Sequence, residues 1–196
     1  MNYHGKKILI LGMGNTGLSV AKWLSRTGAI LSAADTRYAP PNQALFHQIM
    51  STKNVHCGPF EANIFFQIDL IVISPGIPLS EPLVAAAVQQ GTPVVGDIEL
   101  FALALREYDQ SHSKILAITG SNGKSTVTTM VGLMAESAGW EVEVAGNIGR
   151  TILDALMQRI DSNRWPQLWV LELSSFQLET TRNLHADAAV VMNLSE

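Results

Sequence analysis

The residues Ile118-Thr119-Gly120-Ser121-Asn122-Gly123-Lys124-Ser125-Thr126 have the types and spacing that hold a polyphosphate. An apolar run at 115–118 precedes the glycines and a helical pattern follows them, giving the order strand, loop, helix start. Such an order aims backbone N–H groups and a helix N-terminus at one spot, where an anion is stabilised. Lys124 is expected to reach the terminal phosphates, and the Ser125 hydroxyl to take a Mg²⁺ ligand position. The full Walker A pattern has glycine where Ile118 stands, so the match is to the shorter Gly-x-x-Gly-Lys-Ser form. Glu172 is the natural partner for that metal. It ends an apolar strand (Trp169-Val170-Leu171) and is followed by Ser174-Ser175. A carboxylate buried there is costly unless it is paired or metal-bound, and an acid on a neighbouring strand completes the Mg²⁺ site in phosphate-loop proteins. The competing reading is a partly exposed glutamate on an edge strand. Asn147, between Gly146 and Gly149, suits either a left-handed turn or a ligand contact.

A second glycine cluster lies near the start. Gly12, Gly14 and Gly17 follow an apolar run at 7–12, and Asp35-Thr36-Arg37 stands at the end of the next strand. This is the arrangement of a dinucleotide site with the acid on a ribose, and it fits another nucleotide diphosphate equally well. The five histidines (His4, His47, His56, His112, His185) show no metal-ligand spacing. The single cysteine, Cys57, cannot form an internal disulfide, which fits a reducing cytoplasm.

These loops need strands and helices to hold them. Strands are expected at 7–12, 30–34, 69–74 and 94–95, with helices at 16–27, up to about 50, and at 81–90. A helix at 97–106 and a polar connector at 107–113 lead into a second set. Its strands are 115–118, 141–145, 168–173 and 188–193, and its helices 124–138 and 151–159. Val127, Met130, Val131 and Met134 are expected to face the core from the helix at 124–138. The alternation predicts an α/β fold: a Rossmann-like parallel-sheet domain at 1–97, then the first half of a phosphate-loop ATPase domain at 98–196. Parallel sheets bind ligands at the carboxyl ends of their strands, so 12–17, 35–37 and 74–76 converge on one crevice. The last strand is expected to leave the second domain incomplete, with exposed apolar sheet that loosens it or drives association.

Of the 196 residues, 47% are hydrophobic and 15% charged, which sets aside a disordered chain. A net charge of -4 argues against broad nucleic-acid binding. No apolar run approaches a membrane span, and the first residues lead straight into a strand without a secretory signal.

Taken together, these segments resemble the Mur ligases of peptidoglycan synthesis. The resemblance rests on 12–19, Asp35-Thr36-Arg37, Ser74-Pro75-Gly76, 96–101, 118–129, Gly146-Asn147-Ile148-Gly149 and 172–181. The segment Glu172-Leu173-Ser174-Ser175-Phe176-Gln177-Leu178-Glu179 is similar to the branch that adds D-glutamate. The resemblance implies a cytoplasmic ligase that joins D-glutamate to UDP-N-acetylmuramoyl-L-alanine through an acyl phosphate, using ATP and Mg²⁺. It implies that Asn15 and Thr16 meet the substrate diphosphate, that Asp35, Thr36 and Arg37 meet the uridine, and that Gly76 lines the same crevice. Gly120, Ser121, Asn122, Gly123, Lys124, Ser125 and Thr126 would hold ATP, with Lys124 stabilising the transferring phosphoryl group. Ser125 and Glu172 would ligate Mg²⁺, Asn147 would touch the muramoyl-alanine part, and Ser174 would lie close by. Whole enzymes of this family continue through a metal-binding histidine, a carbamylated lysine and a C-terminal amino-acid-binding domain, all absent here. The chain alone is therefore expected to be inactive. Two other classes stay open on the residues themselves: an NAD-dependent oxidoreductase, and a non-enzymatic nucleotide-sensing module.

Overall fold

The computed structural model describes residues 2–109 and 112–194. It divides into two compact units, Met1–Asp97 and Ile98–Glu196. The connector expected at 107–113 includes residues 110 and 111, which lie outside the described residues.

The first unit is a five-stranded parallel sheet. Its strands are β1 (Lys7–Leu11), β2 (Ile30–Asp35), β3 (Val55–Cys57), β4 (Leu70–Ile73) and β5 (Val94–Val95), in the order β3-β2-β1-β4-β5. Helices α1 (Asn15–Ser25), α2 (Gln43–Ile49) and α3 (Pro82–Gln89) link them. Ile8, Leu9, Ile10 and Leu11 are fully buried because β1 is central and covered on both faces. In α1 the residues Leu18, Ala21, Trp23 and Leu24 face the core, as the helical period requires. Chain order reverses between β1 and β4, and a crevice opens there at the carboxyl ends of the strands. β3 was not anticipated: Val55-His56-Cys57 is too short to show a period, and pairing with β2 alone defines it.

The second unit begins with α4 (Asp97–Glu107), whose Ile98 onward belongs to it. Four parallel strands follow: β6 (Lys114–Thr119), β7 (Val142–Gly146), β8 (Leu168–Glu172) and β9 (Ala188–Val191), ordered β7-β8-β6-β9. Three helices complete it: α5 (Lys124–Ser137), α6 (Ile152–Ser162) and the short α7 (Ser175–Glu179). β8 is central and buried throughout, whereas all four residues of β9 are exposed along an open edge. Trp169 of β8 meets Phe101 of α4 edge to face with ring centroids 4.9 Å apart, a favourable aromatic geometry.

The expected core stripe of α5 is corrected. Val127, Val131 and Ala135 pack toward the buried Ile118, Leu168 and Val170, but Met130 and Met134 are 54% and 67% exposed. Thr128 and Gly132 take the buried positions, so the 3.6-residue stripe runs 127/128, 131/132, 135. The methionines lie off that stripe on its outer flank, next to the exposed Leu133.

The outer edge formed by β7 is closed by one side chain. Arg159 of α6 pairs with Glu143 and Glu141, each at 2.7 Å, and donates to the Val142 carbonyl at 3.2 Å. The Arg159 side chain is 16% exposed and that of Glu143 14%, so removing the arginine strands a mostly buried carboxylate. Arg159→Ala is expected to cost about 2 kcal/mol, short of the roughly 3–5 kcal/mol of a fully buried pair because Glu141 is more open to solvent. Urea unfolding reads this out, and a midpoint equal to that of the unsubstituted chain would refute it.

Candidate functional site

At the carboxyl end of β6 the chain turns through Gly120 (φ +141°) and Gly123 (φ +79°). Gly123 is the N-cap of α5 in a left-handed conformation that residues with a Cβ rarely adopt. It offers no side chain to the first turn, so an outside anion can engage the helix N-terminus there. The Lys124 ammonium folds over the loop, donating to the Gly120 carbonyl at 2.8 Å and the Ser121 carbonyl at 3.2 Å. Ser121, Asn122, Ser125 and Thr126 are exposed.

Pairing sets Ile118 of β6 opposite Glu172 of β8, so the glutamate ends its strand two residues before the loop's first glycine. It is 1% exposed and β8 is central, which removes the edge-strand reading. Its Oε1 accepts from Asn147 Nδ2 at 3.1 Å, while its Oε2 is buried without a partner. An orphaned carboxylate oxygen beside a phosphate-type loop suits a divalent cation. The donor set is the hard-oxygen kind that Mg²⁺ takes, a carboxylate and a hydroxyl with water and phosphate filling the rest. Glu172 and Ser125 are the residues that would hold it. Among the described residues, no group of three or more His, Cys, Asp or Glu gathers at one point.

Two of the neighbours expected to touch a ligand are also engaged structurally. Asn147 is not left-handed; its backbone N–H donates to the Glu172 carbonyl at 2.8 Å and its amide to the carboxylate. Ser174 is the N-cap of α7 in a reciprocal capping box with Gln177. The spacing Ser174-x-x-Gln177 is the signal of that helix in the sequence.

Asn193 was missed as well. Its carbonyl accepts from Ser121 N–H at 3.0 Å, its Oδ1 from Asn122 N–H at 2.8 Å, and its Nδ2 donates to the Asn122 carbonyl at 3.0 Å. Nothing local marks this residue; it reaches the loop only because β9 pairs with β6.

In the first unit, Gly14 is the N-cap of α1, with Asn15 exposed and Thr16 half-buried in its first turn. Asn15 Oδ1 accepts from Asn42 at 3.2 Å. Thr36 and Gly76 are exposed at the ends of β2 and β4. Ser74 lies against Gly12, so the loops after β1 and β4 border one crevice. Asp35 is 3% exposed and already satisfied. Its Oδ2 accepts from Met13 N–H at 2.7 Å and from the Arg37 guanidinium at 2.6 Å. Its Oδ1 accepts from Arg37 N–H at 3.0 Å and Arg37 Nε at 2.8 Å. The carboxylate thereby fixes Arg37 at the mouth and has little left for a ribose hydroxyl, against the dinucleotide arrangement.

Burial is the largest influence on the Asp35 carboxyl and pushes its pKa up. The Arg37 side chain and the two backbone donors outweigh it and hold the pKa below the ordinary 3.8. Glu99 in α4 follows the same pattern. Burial opposes ionisation, but Arg182 N–H, the Asn183 side chain and backbone, and the Arg106 charge bring it below 4.5. Folding thus favours both ionised forms. Their contribution is full above the unfolded values and fades as pH falls through the lower, folded ones. The urea midpoint is expected to drop as pH goes from about 5 to about 3, and less steeply in Asp35→Asn. An unchanged midpoint over that range would contradict this.

Comparison with known proteins bears on the family and the fold. Residues 6–96 match the family description "Mur ligase MurD-like, N-terminal domain", and residues 118–196 match "Mur ligase middle domain". A Nitrosomonas europaea protein named UDP-N-acetylmuramoylalanine--D-glutamate ligase is 65% identical over 196 residues, all of this chain and 42% of that protein. A protein of the same name from Nitrosospira multiformis is 56% identical over the same length and 41% covered. The chain thus spans about two-fifths of the length of these relatives. Among solved structures, the Neisseria UDP-N-acetylmuramate:L-alanyl-gamma-D-glutamyl-meso-diaminopimelate ligase aligns with a TM-score of 0.55 and 21% identity. That alignment covers 97% of this chain and 61% of the other, and it speaks to fold alone. The UDP-N-acetylmuramate-alanine ligase of Thermotoga maritima aligns at 0.51 with 18% identity, covering 96% and 41%. Two family descriptions in the order of the two units, with whole-chain identity to ligases of one name, make this chain a member of the Mur ligase family, MurD-like in its first unit.

Proposed function

We propose that this chain carries the nucleotide-handling part of an ATP-dependent ligase that joins D-glutamate to UDP-N-acetylmuramoyl-L-alanine. The orphaned Glu172 Oε2 beside the Gly120–Gly123 turn carries the reading, because a buried carboxylate oxygen with no protein partner suits a metal-bound phosphate donor. ATP would supply the phosphoryl group that activates the substrate carboxylate as an acyl phosphate, and Mg²⁺ would spread the charge of its oxygens.

The chain's own groups set the stage. The α5 N-terminus and the loop amides that Asn193 leaves unengaged would receive phosphate oxygens, and Ser125 and Glu172 would hold the metal. Lys124 leaves its two carbonyls to meet the transferring group, so its charge is stored in the loop until phosphate arrives. Asn147 holds the Glu172 carboxylate in place through Oε1 and borders the muramoyl-alanine part of the substrate, with Ser174 beside it. In the first unit, Asn15 and Thr16 at the α1 N-terminus take the diphosphate, while Thr36, the Asp35-held Arg37 and Gly76 border the uridine. We place the reaction in the cytoplasm, in keeping with a single unpaired cysteine. No helix among the described residues is long and apolar enough to cross a membrane.

Calorimetric titration of the chain with UDP, MgATP and NADH tests this. Binding of UDP and MgATP at separate, additive sites is expected, with no NADH response. Tight NADH binding without a UDP response would replace the reading with an oxidoreductase. MgATP binding alone would leave a nucleotide-sensing module.

A further inference from the structure

We infer that the second unit carries another ligand site, for a small aliphatic carboxylate, at the end of its sheet away from the phosphate loop. This goes beyond the proposed ligase chemistry and does not depend on it. A cavity of about 440 Å³ opens between α4, the start of β6 and the segment leading into β9. β6 runs six residues from this cavity to the loop, so the two sites stand about 20 Å apart.

The walls are pinned by buried or bridging acids. Glu99 accepts from the Arg182 and Asn183 backbone N–H groups at 2.7 and 2.9 Å and from the Asn183 side chain, fastening this segment to α4. Asp187 accepts from Ile115 N–H at 2.9 Å and pairs with Lys114 at 2.8 Å, joining the starts of β9 and β6. Ser113 Oγ donates to the Pro166 carbonyl at 2.7 Å. The cavity is therefore built into the fold.

Its lining divides by chemistry. Ala102, Leu105, Ile115 and Leu184 give an apolar wall, and Arg106 and His185 give a donor-rich end. The Arg106 guanidinium donates to Asn183 Oδ1 at 3.1 Å and to His185 Nε2 at 2.5 Å, both neutral acceptors. A guanidinium has no acceptor, so His185 Nε2 is the acceptor of that bond. The Asn183 amide is oriented by Glu99, which in turn fixes Arg106. Two of the five guanidinium N–H groups are used, and among the described residues no carboxylate forms an ion pair with Arg106. Of the acids in the lining, Asp187 is occupied, and Asp109 is exposed, where water and salt screen it. The Arg106 charge is felt by Glu99, but Glu99 is bonded to Arg182 and Asn183 instead, so the remaining guanidinium N–H groups beside apolar surface fit a carboxylate on a short hydrocarbon body.

Chemical-shift mapping of the ¹⁵N-labelled chain tests the site with 4-methylpentanoate and with 3-methylbutan-1-amine, which keeps the hydrocarbon but carries the opposite charge. The carboxylate is expected to shift amides at 102–106 and 183–187 saturably, and the amine to leave them unmoved. Arg106→Met, checked for an unchanged urea midpoint, is expected to weaken carboxylate binding at least tenfold, while MgATP-induced shifts at 120–126 persist. The inference fails if the carboxylate moves none of these amides, if the amine binds as well, or if Arg106→Met binds unchanged. The comparison of acid with amine uses the unsubstituted chain, so it decides the matter even where the variant does not fold.

Discussion

Glu172→Gln is expected to raise the melting temperature of the metal-free chain and to abolish the further rise that MgATP gives. The carboxylate lies 1% exposed with one hydrogen-bonded oxygen and one orphaned oxygen. A buried charge so poorly answered costs several kcal/mol of desolvation, against about 1–3 kcal/mol for an unsatisfied neutral amide. Glutamine keeps the size of the side chain and can still accept from Asn147 through its amide oxygen. The expected net gain is about 1–2 kcal/mol, or roughly 4–16 °C for a unit of this size. In the unsubstituted chain, ligand at a hundred times its dissociation constant would add about 2.7 kcal/mol, and Glu172→Gln removes most of that with the metal ligand. Thermal scans with and without MgATP measure both effects. A lower metal-free melting temperature, or an undiminished MgATP increment, would mean that Glu172 serves the fold rather than a metal.

Gly17→Ala is expected to have the largest effect on the first unit. A Cβ at this position would stand 1.8 Å from the Gly12 carbonyl oxygen and 3.0 Å from its carbon, both backbone atoms. Neither side can yield. Gly12 has φ +96°, is bonded to the Ala34 carbonyl at 2.8 Å and abuts Ser74, while β1 behind it is fully buried. The cost is about 3 kcal/mol or more, a loss of roughly 12–24 °C in melting temperature for this unit. Gly14→Ala separates stability from binding. A Cβ there meets nothing within 4 Å, so the fold loses only about 1 kcal/mol, the price of alanine at an N-cap. UDP affinity is nonetheless expected to fall at least tenfold, because the added methyl stands where a diphosphate approaches the α1 amides. Calorimetry with UDP and thermal scans of both variants check this. Full UDP affinity in Gly14→Ala would move the diphosphate elsewhere.

The parts legible in the sequence were those governed by local pattern. Apolar runs ended by glycine gave β1 and β6, and the strand–loop–helix order gave the phosphate-type loop with Lys124 at its rim. Glu172 stood out because an acid inside an apolar run contradicts its surroundings, and the structure buries it with one oxygen unpartnered. What stayed hidden depends on pairing over long distances. Asn193 meets the loop 71 residues away, and Glu99 meets Asn183 at a separation of 84. α5 shows the opposite failure. Its apolar residues surround the helix, so hydrophobicity alone could not say which stripe turns inward, and the choice fell to Val127, Val131 and Ala135 packing on the sheet. α7 and β3 are short enough that one capping box and one neighbouring strand define them.

The asparagine clamp makes the glycine loop answerable to the rim of its sheet. Three bonds tie Ser121 and Asn122 to a residue just past β9, and among the described residues β9 pairs with β6 alone. Fraying of that strand would slacken the cradle. By reciprocity, a triphosphate seated with this clamp intact would steady the strand in turn, so occupancy at the loop and order at the rim rise together.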